Sequence, residues 1–133
     1  MEGLALTSIT MSDIPWMDTL LNDKEVRRFL PNLTSSAYLF LDEMNVAENR
    51  NIGKLWAIRL NDNGVGFIAI YDLDDSPFIF YAMLPMFRNR GYMKRCVKMI
   101  EMEYKQTLYT CIEKENVATQ HVLSEMNIIY SVK

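Results

Sequence analysis

Apolar positions recur three and four residues apart through the first third of the chain, then two apart. Leu4 to Thr10 alternates and predicts a first strand. Ile14, Met17, Leu20 and Leu21 form one stripe, opened by a cap at Ser12 or Asp13 with Pro15 in the first turn. Asn22 and Asp23 break that helix and cap a second, Lys24 to Leu30, which Pro31 stops. Thr34, Ser35 and Ser36 offer a third cap, and Ala37, Phe40, Leu41 and Met44 repeat the stripe until about Asn49. The period then shortens. Lys54 to Leu60 and Val65 to Leu73 read as strands joined by a hairpin turn at Asn61-Asp62-Asn63-Gly64. A second turn over Asp72–Pro77 leads to a strand at Phe78–Leu84. A helix over Tyr92–Tyr104 buries Met93, Cys96, Val97 and Ile100. A strand follows at Thr107–Ile112, then a short helix from Asn116 and a last strand at Ile128–Val132. The order β-α-α-α-β-β-β-α-β-α-β predicts an α/β (α+β) fold.

Composition narrows what such a fold does. At 133 residues, half of them apolar, the chain is expected to form a single domain, 1–133. A net charge of −3 argues against general nucleic-acid binding. Met1-Glu2-Gly3-Leu4 has no basic or long apolar run, and no stretch is long enough to span a membrane, so a cytoplasmic protein is expected. Two cysteines, Cys96 and Cys111, and one histidine, His121, give no zinc pattern. Both thiols read as buried core residues of a reducing compartment. The ten methionines read chiefly as adaptable core filler, and the sequon at Asn32 as chance.

One segment stands apart. Between Ser76 and Ile100 there is no acidic residue, yet Arg88, Arg90, Lys94, Arg95 and Lys98 supply five positive charges. A solvated helix face ordinarily alternates signs. Here a strand enters a glycine-containing loop that opens a helix, where unbonded N–H groups and the helix dipole favour phosphate. Gly91 lets a backbone come close to a ligand.

Arg88-Asn89-Arg90-Gly91-Tyr92-Met93 resembles the acyl-CoA-binding motif Gln/Arg-x-x-Gly-x-Gly/Ala of the GNAT superfamily of N-acetyltransferases. Its last position departs, since Met93 stands where the family has a small residue. Leu6–Asp13, Leu21–Leu30, Trp56-Ala-Ile, Gly66-Phe-Ile and Asn116-x-x-Thr119-x-x-Val122 resemble the branch that acetylates ribosomal-protein N-termini. Nearly the whole chain is covered. The resemblance implies a mixed, splayed central sheet flanked by helices, acetyl-CoA as co-substrate and no metal. The acceptor is an amine, on a small molecule or a protein N-terminus, with neither nucleic acid nor membrane as partner. It implies cofactor contacts at Ala82, Met83 and Leu84 along the fourth strand, at Arg88, Asn89, Arg90, Gly91, Tyr92, Met93 and Lys94 in the loop, and at Asn116.

Acetyl transfer needs a polarised carbonyl, a neutral amine and a route for its proton. Tyr81, Glu113 and Asn116 are the catalytic candidates. Each has a plain structural reading beside it: a hydroxyl reaching backbone or solvent, a strand-end charge and a helix cap. Many family members place a tyrosine where this chain has Leu123, and His121 lies on another helix face. The family follows this helix with Gly-Phe and two strands; here Asn127-Ile128 and residues for one strand remain, a shortened C-terminus. Met93, Leu123 and that shortening support an alternative, a catalytically weak or inactive domain that binds acyl-CoA or a protein partner. The shortening also predicts that the strand-five edge is either covered by Ile128–Val132 alone, in a monomer, or closed by a symmetric homodimer in which Ile128–Val132, or strand five itself, packs against a partner.

Overall fold

A computed structural model describes residues 3–73, 76–104, 107–112, 116, 119, 120, 122 and 128–132. Glu113, His121, Leu123 and Asn127 lie outside the described residues. Strand β1 (Leu4–Thr7) is followed by a 3-10 turn (Met11–Asp13) and helices α1 (Ile14–Leu21), α2 (Lys24–Phe29) and α3 (Ala37–Asn49). Then come β2 (Gly53–Leu60), β3 (Asn63–Leu73), β4 (Ser76–Met83), a 3-10 turn (Pro85–Phe87), α4 (Tyr92–Glu103), β5 (Leu108–Ile112) and β6 (Ile128–Val132). Thr119, Gln120 and Val122 are helical.

The six strands lie in the sheet in chain order. Neighbours from β1 to β4 run antiparallel; β5 is parallel to β4, and β6 to β5. This is the mixed α+β sheet the sequence predicts. The β2–β3 hairpin is tighter than expected. Asn61 and Asp62 take left-handed conformations, φ 50° and 71°, and make the turn alone. Asn63 and Gly64 already belong to β3. Asn and Asp tolerate this region, which is why no glycine is needed at the turn.

Both faces of the sheet are covered, so its strands are apolar on both sides. Trp56, Ile58, Ile68, Ile70 and Ile79 pack against Cys96, Val97 and Ile100 of α4. Leu55, Phe67, Ala69 and Ala82 point the other way, onto Met17, Leu20 and Leu21 of α1 and Phe40 and Met44 of α3. Cys96 is fully buried, and burial pushes its thiol up to about 11. It is a core residue, as expected.

β6 pairs with β5 along all five residues. The strand-five edge is therefore covered within the chain, the first of the two expected arrangements. Among the described residues no helix is long and apolar enough to cross a membrane, and no cluster of His, Cys, Asp and Glu could hold a metal ion.

One polar group is sunk into this frame. Asp13 is 4% exposed. It accepts two bonds from Arg59 at 2.9 Å, one from Trp16 Nε1 at 2.9 Å and one from the Thr10 N–H at 2.8 Å. Burial by itself would raise its pKa. The Arg59, Thr10 and Trp16 bonds and the Arg59 charge outweigh it and bring the carboxyl from 3.8 to about 2. A folded value below the unfolded one means stability that is present above pH 3.8 and lost as pH falls toward 2. Asp13→Ala should cost about 2 kcal/mol, because the half-buried Arg59 loses its carboxylate while Trp16 Nε1 and the Thr10 N–H lose their acceptor. Asp13→Asn should flatten the acid limb of the stability curve. Urea denaturation between pH 2 and 7, on the order of the range where carboxylates titrate, checks both; an acid limb unchanged in Asp13→Asn would contradict the assignment.

Candidate active site

The site begins where strand pairing stops. β3 and β4 stay in register for eight pairs, Gly66–Met83 to Leu73–Ser76. β4 and β5 share one, Phe78 with Tyr109. Beyond it the two strands part, and no β5 residue lies in register opposite Tyr81 or Met83. The Leu84 N–H bonds to the Val65 carbonyl, 2.8 Å, toward β3. Alternation then turns the Tyr81 and Met83 N–H groups the other way, into the opening. Gly66 keeps β3 close at this point: a Cβ there would stand 2.6 Å from the Ala82 carbonyl oxygen.

The loop after β4 is shaped by two left-handed residues, Asn89 at φ 62° and Gly91 at φ 80°. Gly91 is the N-cap of α4, and no side chain caps that helix. The first-turn N–H groups therefore need another acceptor. Nothing lies within 4 Å of where a Gly91 Cβ would be, so the approach to the loop is open.

An open cleft of about 1210 Å³ joins these features. The loop side contributes Arg88, Asn89, Gly91, Tyr92, Met93 and Lys94; β4 contributes Phe78 to Met83. Thr110 of β5, Asn116, Thr119 and Val122 form a further wall, and α2 with residues 30–33 closes the other side. Of the expected cofactor residues, Leu84 and Arg90 do not line it. Leu84 packs on the α1–α3 side and Arg90 is exposed. Met93 is 9% exposed and sits in the α4-side core while still lining the cleft.

The structure divides the five basic residues. Lys94 lines the cleft; Arg90, Arg95 and Lys98 are exposed outside it. Arg88 turns inward instead. Its Nε donates to the Met83 carbonyl at 2.9 Å, Nη2 to Asp23 at 2.7 Å and Nη1 to Glu25 at 3.4 Å. Asp23 also caps α2, accepting from the Glu25 and Val26 N–H groups. Burial would raise the Asp23 pKa, but the Arg88 bond and charge, with those two N–H bonds, hold it below its usual value. So Arg88 is a latch joining the end of β4, the loop and α2, rather than a cation open to a ligand.

Tyr81 reaches from β4 toward the Asn116 wall. Its hydroxyl is buried and has no hydrogen-bond partner of ordinary length among the described residues; Thr119 is the polar side chain it faces. Burial raises its pKa well above the ordinary tyrosine value. A hydroxyl shifted this way keeps its proton and can donate a hydrogen bond, though it is a weaker proton donor than a free tyrosine. Asn116 Oδ1 accepts from the Thr119 N–H at 3.3 Å, the capping role, and the residue lines the cleft as well. Glu113 falls outside the described residues.

Sequence reasoning missed Thr110, Thr119 and the whole α2 wall. Asp23 reads as a helix cap in the sequence, which it is; nothing local shows that it also meets an arginine 65 residues on.

A model of the acetyltransferase (GNAT) domain matches residues 4–127. No curated protein matches the chain. Among solved structures, an acetyltransferase from Salmonella typhimurium that modifies the N-terminal serine of a 50S ribosomal subunit protein superposes with a TM-score of 0.76, at 16% identity, over 91% of this chain and 77% of that one. The spermidine N-acetyltransferase from Vibrio cholerae, solved with CoA and spermine, gives 0.72 at 14% identity, over 92% and 78%. RimJ of Mycobacterium smegmatis, solved with CoA-disulfide, gives 0.71 at 14%, over 91% and 68%. At these identities the likeness is one of fold.

An unpartnered buried hydroxyl is a liability in the empty protein. Tyr81→Phe should therefore stabilise the ligand-free chain by about 1 kcal/mol. Chemical denaturation checks this; a loss of stability would mean that the hydroxyl is bonded.

Proposed function

This chain belongs to the GNAT acetyltransferase family, and on that premise we propose that it is an acetyl-CoA-dependent N-acetyltransferase acting on a primary amine, of a small molecule or a protein N-terminus. The observation that carries the reading is the parting of β4 from β5 after Phe78, with the Tyr81 and Met83 N–H groups turned into the gap. An extended pantetheine arm supplies the carbonyls and amides that such an edge lacks. The uncapped start of α4 and the left-handed Asn89 and Gly91 lie at one end of that edge and suit a pyrophosphate.

In this reading the backbone of Arg88 to Met93 holds the pyrophosphate, with Lys94 beside it. The edge of Ala82 and Met83 runs along the pantetheine, and the Met83 N–H faces the thioester oxygen, where negative charge develops. The amine nitrogen attacks the acetyl carbon, the C–N bond forms and the C–S bond breaks. The amine gives up one proton and the departing thiolate takes one, so the products are an acetamide and CoA. Tyr81, held protonated, donates toward the sulfur. Glu113 or water receives the proton of the amine, whose free pKa is near 10, and Asn116 orients the wall opposite. Arg88 is a positioning residue. Through the Met83 carbonyl it fixes the peptide that follows the thioester donor.

The competing reading is a domain that binds acyl-CoA or a protein without turnover. Met93, one of its motives, is packed into the α4-side core and still lines the cleft. A homodimer remains part of the proposal, in its Ile128–Val132 form, since β6 is the outermost strand of the sheet.

Release of CoA thiol from acetyl-CoA with a panel of primary amines tests the function; binding without release on any amine would favour the competing reading. The placement has its own test. Gly91→Asp should weaken acetyl-CoA binding roughly tenfold or more through phosphate repulsion. Gly91→Asn, neutral and tolerant of left-handed backbone, should stay within about threefold of the parent. Equal affinities in calorimetry for Gly91→Asp and the parent would remove the pyrophosphate from this loop. Tyr81→Phe or Glu113→Gln should lower kcat while leaving that affinity nearly intact. Unchanged rates in both would take proton transfer away from these groups.

A further inference from the structure

The acceptor half of the cleft has a chemical character of its own. Phe29 and Leu30 at the end of α2, Leu33 beyond it, and Phe78 and Phe80 of β4 all line the cleft and all are half-buried. Phe80 is anchored from behind by Phe40 and Phe67, ring centroids 6.2 Å away in both cases. Half-uncovered and lining the cleft, these side chains form an apolar wall that a ligand would cover.

The charge of Arg88 beside that wall is met by Asp23 and Glu25. Arg88 and Lys94 line the same cleft, and the Arg28 guanidinium sits 4.9 Å over the Phe29 ring. Glu25 is the one acidic side chain among the described lining residues. It is already within 3.4 Å of Arg88. A second ammonium laid against this apolar wall would lose its hydration, and the one acidic side chain among the described lining residues is already shared with Arg88. An apolar ring or branched chain would instead cover the exposed faces of Phe29, Leu33 and Phe78.

We propose that the acceptor is a single primary amine carried on an apolar, aromatic-sized body, and not a polyamine. The proposal rests on the acetyltransferase reading and narrows its substrate class. Its chemistry is R–NH2 plus acetyl-CoA giving R–NH–CO–CH3 plus CoA, with R apolar. R could belong to a free amine or to the apolar first residues of a polypeptide, and the two sources are separable.

The experiment compares three acceptors on the full chain: phenethylamine, a pentapeptide with two apolar residues at its N-terminus, and spermidine. The first, the second or both should exceed spermidine in kcat/KM by roughly tenfold, the ratio expected when about 60 Å² more apolar surface is covered. Preference for the peptide would place the source in a protein N-terminus, and preference for phenethylamine in a small molecule. Spermidine equal to or better than both would overturn the proposal. Leu33→Asp, which puts a carboxylate on the wall, should move the phenethylamine-to-spermidine ratio toward spermidine by about tenfold. That ratio does not depend on how much of the variant folds, and an unchanged ratio would remove Leu33 and its wall from the acceptor site. If no amine is acetylated at all, the acetyltransferase reading fails separately. Calorimetry on CoA-loaded protein then decides the inference alone: saturable binding of phenethylamine or the peptide without binding of spermidine upholds it, and any other pattern overturns it.

Discussion

A parallel strand pair that stops after one rung is the constraint on which the rest of this structure depends. β4 cannot pair with β5 past Phe78, yet its edge continues to Met83 with donors turned outward. In a sheet covered on both faces, such an edge is costly unless something completes it. Among the described residues no strand completes it: β6 lies on the far side of β5. What opens at the edge is a cleft with a strand edge on one side, a helix start at one end and an apolar wall opposite. That is the shape an extended thioester and its acceptor need.

Holding such a gap open takes rigid neighbours. On one side Gly66 lets β3 approach the Ala82 carbonyl closely, so the end of β4 is fixed from behind. On the other, Arg88 ties Met83, the loop and the start of α2 into one unit through Asp23. Asp13 does comparable work further off, joining the start of α1 to Arg59 of β2. Among the described residues these ion pairs join the helical layer to the sheet by charge as well as by packing. Each is partly shielded from water, where a paired charge is strongly directional and an unpaired one expensive.

Much of this was legible in the residues. Periodicity placed the three N-terminal helices and the six strands, because a layered fold with one sheet forces alternation in strands and three-four spacing in helices. The loop at Arg88–Met93 stood out through its charge and its glycine, and its strand–loop–helix setting is the one observed. Other features were not legible. The role of Arg88 inverted, from ligand-facing cation to latch, because its partner Asp23 is remote in sequence and already had a local job as a cap. Leu84 missed the cleft because it lies past the end of β4, its side chain packed on the α1–α3 side and its N–H bonded to Val65, which a list of consecutive residues does not show. Nothing in the sequence singled out Phe29, Leu30 and Leu33 as a wall. Only the tertiary arrangement leaves those side chains half-uncovered beside Phe78 and Phe80.

The account therefore turns on whether a thioester arm occupies the gap as a surrogate strand. Amide hydrogen exchange followed residue by residue, with and without saturating acetyl-CoA, tests this most directly. The account predicts that the Tyr81 and Met83 amides gain strong protection when acetyl-CoA is added. The Phe80 and Ala82 amides, already turned toward β3, should change little. Protection that leaves Tyr81 and Met83 unchanged, or that appears only on other elements, would contradict the claim that the parted strands are the cofactor slot.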